Sequence, residues 1–224
     1  MKAQFSVSVM CMDLLDIRSQ IETLNGCADY YHFDIMDGHF SPNLMLPPLF
    51  VKHLAPAMKL PIEAHLMVDD PGQYIDELAA AGATYISLHA ETINTHAFRL
   101  ISRIKSLGCK VGIALNPATP LEYIKHYLNH VDLLTIMTVD IGYSGSPFVV
   151  EMLDKIREAV RLRGENDYHY KIQVDGACNE KTFKMLTEAG AEIFVMGNTG
   201  LFKNDPDVGR AYSIMMDNFN REVR

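Results

Sequence analysis

The chain has no tryptophan and only four cysteines in 224 residues. Cys11, Cys27, Cys109 and Cys178 are scattered, with no Cys-x-x-Cys pair. That leaves no basis for a zinc finger, and free thiols in a reducing compartment are the plain reading. Positive charge is also scarce. Twenty Lys and Arg face 28 Asp and Glu, a net charge of -8. A nucleic-acid binder needs a basic face, so the balance argues against that class. A small anionic substrate is not, because a few local donors can hold one phosphate. No apolar run approaches the roughly 20 residues of a membrane span. The opening Met-Lys-Ala-Gln-Phe-Ser has no long apolar stretch behind a basic start, so no secretory signal is expected and a cytoplasmic location is. No Gly-x-Gly-x-x-Gly turn follows the first β-rich run, which argues against an open dinucleotide-binding sheet. No linker, low-complexity tract or composition break divides the chain, so residues 1–224 read as one domain.

What the chain does have is alternation. Eight β-rich runs fall at 5–10, 30–36, 62–68, 84–89, 110–115, 133–139, 170–174 and 192–196. Helical patterns lie near 13–24, 71–81, 94–107, 119–128, 147–162, 179–189 and 205–220, with a shorter one near 48–55. In 71–81, Tyr74, Leu78 and Ala81 share one face. Asn179 and Asp205 read as N-caps, and Gly82, Gly108 and Gly190 as helix stops. Strict β–α alternation implies parallel strands with helical crossovers, and eight units suit a closed (β/α)₈ barrel.

Barrel enzymes carry their active sites at the C-terminal ends of the strands. Here those ends hold Ser8, His32 with Asp34, His65, His89, Asn116, Met137 with Asp140, Asp175 with Gly176, and Gly197 with Thr199. Strand side chains alternate, so His32, Asp34 and Met36 face one way. His65 ends the third run and Asp175 the seventh. Two imidazoles and two carboxylates suit one divalent ion per chain: Zn²⁺ first, with Fe²⁺, Co²⁺ or Mn²⁺ as alternatives. Buried, hydrogen-bonded polar residues would be the duller explanation. Three glycine-bearing turns follow the last strands: Gly142-Tyr143-Ser144-Gly145, Gly176-Ala177 and Gly197-Asn198-Thr199-Gly200. Glycine lets backbone N–H groups approach an anion, and such loops bind phosphate in many barrels. Met36, Met67 and Met137 end strands and form a candidate thioether cap. His53, His96, His126, His130 and His169 read as surface residues. His39 is a candidate for the mouth, and His89 for support behind the site.

With these residues in place, the chain resembles the ribulose-phosphate 3-epimerase family from Ser8 to about Phe202. His32-x-Asp34-x-Met36-Asp37-Gly38, His65-Leu66-Met67, Met137-Thr138-Val139-Asp140 and Val174-Asp175-Gly176 match its motifs in order. Segments 10–15, 91–94, 98–101 and 151–155 most resemble the branch acting on D-allulose 6-phosphate. D-Ribulose 5-phosphate is the alternative substrate. The resemblance implies a barrel and a metal on His32, Asp34, His65 and Asp175. It also implies acid/base roles for Asp34 and Asp175 through an enediolate, with His65 and Asp175 beside the substrate. A ketose-phosphate contact from Ser8 and self-association into a homo-oligomer follow from the same likeness. Departures from the family pattern fall at Val7, at Ile141–Ser146, at Ala177 and at Asn198-Thr199, around the glycine turns. Related barrels that decarboxylate or condense carry a lysine at strand two, and none stands among His32-x-Asp34-x-x-Asp37. A metal-dependent hydrolase and a non-catalytic binder remain as rival readings.

Overall fold

The computed structural model describes residues 2–143 and 145–224. Among the described residues nine strands form one sheet: β1 (Gln4–Ser8), β2 (Tyr30–Asp37), β3 (Leu44–Met45), β4 (Ile62–Met67), β5 (Tyr85–His89), β6 (Lys110–Leu115), β7 (Leu133–Met137), β8 (Lys171–Asp175) and β9 (Ile193–Met196). All but β3 run parallel, in the order β1-β9-β8-β7-β6-β5-β4-β2, and β1 pairs again with β2. That last pairing closes an eight-stranded barrel. β3 is an antiparallel addition. It pairs with Met36 and Asp37 of β2 to make a hairpin over one rim, which the alternating pattern did not reveal.

Helices α1 (Ile17–Leu24), α2 (Pro48–Leu54), α3 (Ile75–Ala80), α4 (Ala90–Ile93), α5 (Ala97–Ser106), α6 (Met152–Asn166), α7 (Phe183–Ala189) and α8 (Val208–Glu222) surround the barrel. α5 shows why. Ala97, Leu100, Ile101 and Ile104 recur at helical spacing and are all buried. Each such leucine or isoleucine contributes about 1.5–3 kcal/mol by leaving water.

Several expected elements come out differently. The pattern at 119–128 is no α-helix but two short 3₁₀ turns, Leu121–Ile124 and Leu128–His130. Pro117 and Pro120 remove amide donors at its start, and Leu121, Ile124 and Leu128 bury without a full helix. Helix α6 starts later than expected, because Val149 N–H donates to the Thr138 carbonyl and holds the preceding chain against β7. The 71–81 pattern opens as a 3₁₀ turn at Pro71–Gln73, and Asp70 accepts from Gly72 N–H. The cap of α8 is Asp207, which accepts from Arg210 N–H. Asp205 sits one turn out and accepts from Asp207 N–H. Thr182, not Asn179, occupies the N-cap of α7. Gly82, Gly108 and Gly190 do follow the last turns of α3, α5 and α7 with positive φ.

The inside of the barrel is layered by strand register. Tyr30, Tyr85, Leu133 and Ile193 form a separate apolar cluster at the N-terminal end. Above it sit Glu63, Ser87, Thr135 and Gln173, all buried and polar. Then come His32, Asp34, His65 and Asp175. The outward alternates Phe33, Ile35, Leu66 and Val174 belong to the large core under the helices. Alternation along each strand thus separates a helix-facing apolar surface from a polar interior.

Candidate active site

Pairing of Asp34 with His65 across β2 and β4 sets two of the four expected ligands level. His32 lies two residues below Asp34 on the same face. Asp175 ends β8, opposite Met137 of β7. One ligand atom from each of His32, Asp34, His65 and Asp175 lies within 4.8 Å of all the others. His32 Nε2 is 3.2 Å from Asp34 Oδ1 and 3.4 Å from Asp175 Oδ2. It is 3.2 Å from His65 Nδ1. His65 Nδ1 is 3.6 Å from both carboxylate oxygens. Four donors about 2.1 Å from one tetrahedral cation lie about 3.4 Å apart. Five of the six separations bracket that value and the sixth, between the two carboxylate oxygens, is no more than 4.8 Å, so the four donors converge closely enough to hold one divalent ion. Asp34 and both histidines are buried, and Asp175 is half-buried.

The electrostatics agree with a cation site. Burial opposes ionisation of Asp34, but His32 and His65 outweigh it and hold the carboxyl well below its usual range. Burial likewise opposes charge on His32. Glu63 and Asp34 overcome it and raise the imidazole well above its ordinary value. A cation entering the cage would replace that proton. His32 Nδ1 lies 2.7 Å from Glu63 Oε2. Glu63 is buried, and it is also bonded by Ser87 and by Gln173. Glu63 was absent from the sequence-based candidates. Its signal was an acidic residue two before His65 on the inward face of an otherwise apolar strand. His89 does stand behind the site, with Nε2 at 2.9 Å from His65 Nε2. Burial drives its pKa down to about 4.

A cleft opens above the cage. Ser8, Asp34, Met36, Met67, Met137, Gly142, Tyr143, Gly145, Asp175, Gly176, Ala177, Gly197, Asn198 and Thr199 all line it. Ser8 Oγ donates to Asp34 Oδ2 at 2.8 Å, fixing the carboxylate edge. The three methionines are nearly inaccessible and flank the acidic pair. His65 lies below the cleft floor, fully buried. Ser144 lies outside the described residues. His39 is exposed and belongs to a side groove under the β2–β3 hairpin, not to this mouth. His53, His126 and His169 are exposed, while His96 and His130 are half-buried. Cys11, Ile141 and Ser146 also line the cleft, and Cys11 was marked in the sequence only as part of the 10–15 segment of the family likeness.

No lysine or arginine lines the cleft among the described residues. An anion there would be held by backbone N–H groups and by neutral side chains. Gly176 has φ 111°, and a Cβ at that position would come 2.5 Å from Val139. Glycine is therefore required for the chain to turn at the cleft edge. The short helical turn Asn198–Phe202 presents its N-terminal end to the same space, a polarity that suits an anion.

Comparison with known proteins follows the same lines. Residues 4–202 match the model of the ribulose-phosphate 3-epimerase family. Ribulose-phosphate 3-epimerase of Bacillus subtilis is 39% identical over 202 residues, covering 88% of this chain and 92% of its own. The Methanocaldococcus jannaschii protein of the same name is 37% identical, with 90% and 86% covered. Among solved structures, KGPDC from Streptococcus mutans superposes with a TM-score of 0.72 at 13% identity, covering 99% of each chain. The 3-hexulose-6-phosphate synthase of Salmonella typhimurium gives 0.69 at 13% identity, covering 98% and 99%. At such identities these two structures speak for the barrel alone. Sequence and site together place this chain in the ribulose-phosphate 3-epimerase family, as an epimerase of carbohydrate phosphates.

Proposed function

We propose that the protein is a divalent-metal-dependent 3-epimerase of ketose phosphates, with Asp34 and Asp175 as its acid/base pair. One observation carries this reading. Two carboxylates from different strands share a single His-supported donor cage, directly beneath an open cleft. Inverting C3 of a 2-ketose requires a proton to leave one face and another to arrive on the other. Asp34 stands on β2 and Asp175 on β8, with β1 and β9 between them. A sugar lying over Ser8 and Gly197 would have one carboxyl group on each side. A cation held by His32, Asp34, His65 and Asp175 would supply Lewis-acid stabilisation of the negative charge that develops as the proton leaves.

His32 and His65 hold the cage. Ser8 orients Asp34, whose carboxylate is the proton acceptor. Asp175, half-open to the cleft, serves as the donor in that direction. The nearly inaccessible methionines Met36, Met67 and Met137 exclude water from the reacting carbon. Zn²⁺ is the expected ion, and Fe²⁺, Co²⁺ and Mn²⁺ accept the same donors. Cytoplasmic residence and self-association belong to the same family-based reading. Among the described residues, no helix is long and apolar enough to cross a membrane.

The names of the relatives favour a ribulose phosphate as substrate, and the first reading is therefore D-ribulose 5-phosphate converted to D-xylulose 5-phosphate. They do so over the D-allulose 6-phosphate expected from the sequence segments. D-Allulose 6-phosphate, yielding D-fructose 6-phosphate, is the second reading. It is favoured by the altered cleft residues Ile141, Ala177, Asn198 and Thr199, which stand where the phosphate and far end of the sugar would lie. A paired turnover assay of metal-replete enzyme on both ketose phosphates tests this. A large preference for the pentulose supports the first reading, and one for the hexulose the second. Turnover of neither overturns both.

A further inference from the structure

The two histidines of the cage are supported in different ways, and the difference assigns a task to residues outside the cleft. His32 presents Nε2 to the other donors, so its remaining proton lies on Nδ1, facing Glu63 Oε2 at 2.7 Å. His65 presents Nδ1 instead, and its proton must lie on Nε2. That nitrogen meets no carboxylate. It meets His89 Nε2 at 2.9 Å, with the two rings inclined by 21°. An N–H can donate there only if His89 Nε2 is bare. The proton of His89 then sits on Nδ1, which faces Glu91 Oε2 at 3.3 Å. Glu91 is held in turn by Asn116 N–H at 2.9 Å and by the Thr119 hydroxyl. The Phe40 ring covers His89, with centroids 4.7 Å apart. Every hydrogen bond from Glu91 to the cage thus has one allowed direction.

We propose that His89 and Glu91 are positioning residues that lock His65 in the tautomer able to bind the ion, an imidazole-relayed counterpart to the direct Glu63–His32 pair. The inference rests on the metal-dependent reading above. A carboxylate behind a ligand histidine fixes its ring and raises its donor strength, and losing such a partner typically costs 10- to 100-fold in metal affinity. Here the carboxylate acts one ring away, so both members of the relay are needed.

The test uses the full-length protein and Co²⁺ as the probe. Affinity is read by competition with a chromophoric chelator, geometry by the visible absorption of bound Co²⁺, and folding by thermal melting of the metal-free form. His89→Phe leaves His65 no acceptor and should weaken Co²⁺ binding by about 10- to 100-fold. His89→Gln keeps an acceptor near the Nε2 position and should recover most of that loss. Glu91→Gln has only one oxygen for His89, Asn116 and Thr119, and should fall between them. It also carries the test if His89→Phe does not fold. Parent-like affinity and spectrum in His89→Phe, or in Glu91→Gln where that variant carries the test, would overturn the relay alone. A parent protein that takes up no Co²⁺ would overturn the metal reading beneath it.

Discussion

Replacing either aspartate by asparagine should do more than slow the enzyme: it should separate proton exchange from inversion. Asp34 and Asp175 both lie against His32 Nε2, at 3.2 and 3.4 Å. They reach it from strands that are three apart around the barrel. Asparagine keeps the shape and an oxygen donor, but can neither take nor give a proton at working pH. Removing one positioned acid/base group costs about 10² to 10⁴ in kcat. That corresponds to about 3–5 kcal/mol at 1.36 kcal/mol per decade. The surviving carboxylate can still remove the C3 proton from its own face and return one there. In D₂O, Asp34→Asn should therefore exchange the C3 hydrogen of one epimer, and Asp175→Asn that of the other. Neither should interconvert the epimers at an appreciable rate. Exchange is followed by NMR, with metal content measured on the same samples. Normal epimerisation in either variant with the ion retained would refute the two-carboxylate scheme. So would equal exchange of both epimers by each single variant.

Three further expectations follow from the structure. His65→Ala removes one of the four donors of the cage, and metal content and turnover should fall together. Full metal occupancy in that variant would show the ligand assignment to be wrong. Gly112→Ala would place a Cβ 1.9 Å from Ser87 Oγ and 2.7 Å from Ser87 Cβ, displacing the hydroxyl from Glu63. Overpacking of this kind costs about 1–3 kcal/mol in urea unfolding, and a loss below about 0.5 kcal/mol, the scale of a surface substitution, would contradict the packing. Lys155 is buried on α6 and donates to the Asn116 and Pro117 carbonyls. Burial lowers its pKa to about 8, against an ordinary 10.5. Between those values the unfolded chain binds the extra proton, so this group makes stability rise with pH from about 8 towards 10.5. Its cost is present in full below 8. Lys155→Met should flatten that rise relative to the parent in denaturation at pH 7.5, 9 and 9.5, and parallel curves would refute the assignment.

The order of strands and helices was legible because apolar spacing and local turn chemistry are properties of short segments. Inward and outward faces of β2 could be read from His32, Asp34 and Met36 alone, since strand side chains alternate whatever the strand pairs with. The four cage residues could be named from their place at strand ends. The segment at 119–128 misled because its leucines and isoleucine recur at a spacing that a helix and successive 3₁₀ turns both satisfy. Only the crossover around Pro117 and Pro120 decides between them. Asp205 and Asp207 are equally good capping residues by type, and the packing of α8 selects the second.

What the sequence determined by itself was the alternation, the barrel, the ligand types and the family likeness. The tertiary structure decided which atoms face one another. Register between β2 and β4 brings Asp34 level with His65, and barrel closure brings Asp175 to within 4.8 Å of both. The roles of Glu63 and Glu91, and the partners of His89, were hidden for the same reason. A hydrogen bond across strands depends on register and ring orientation, and these arise only when distant segments pack together.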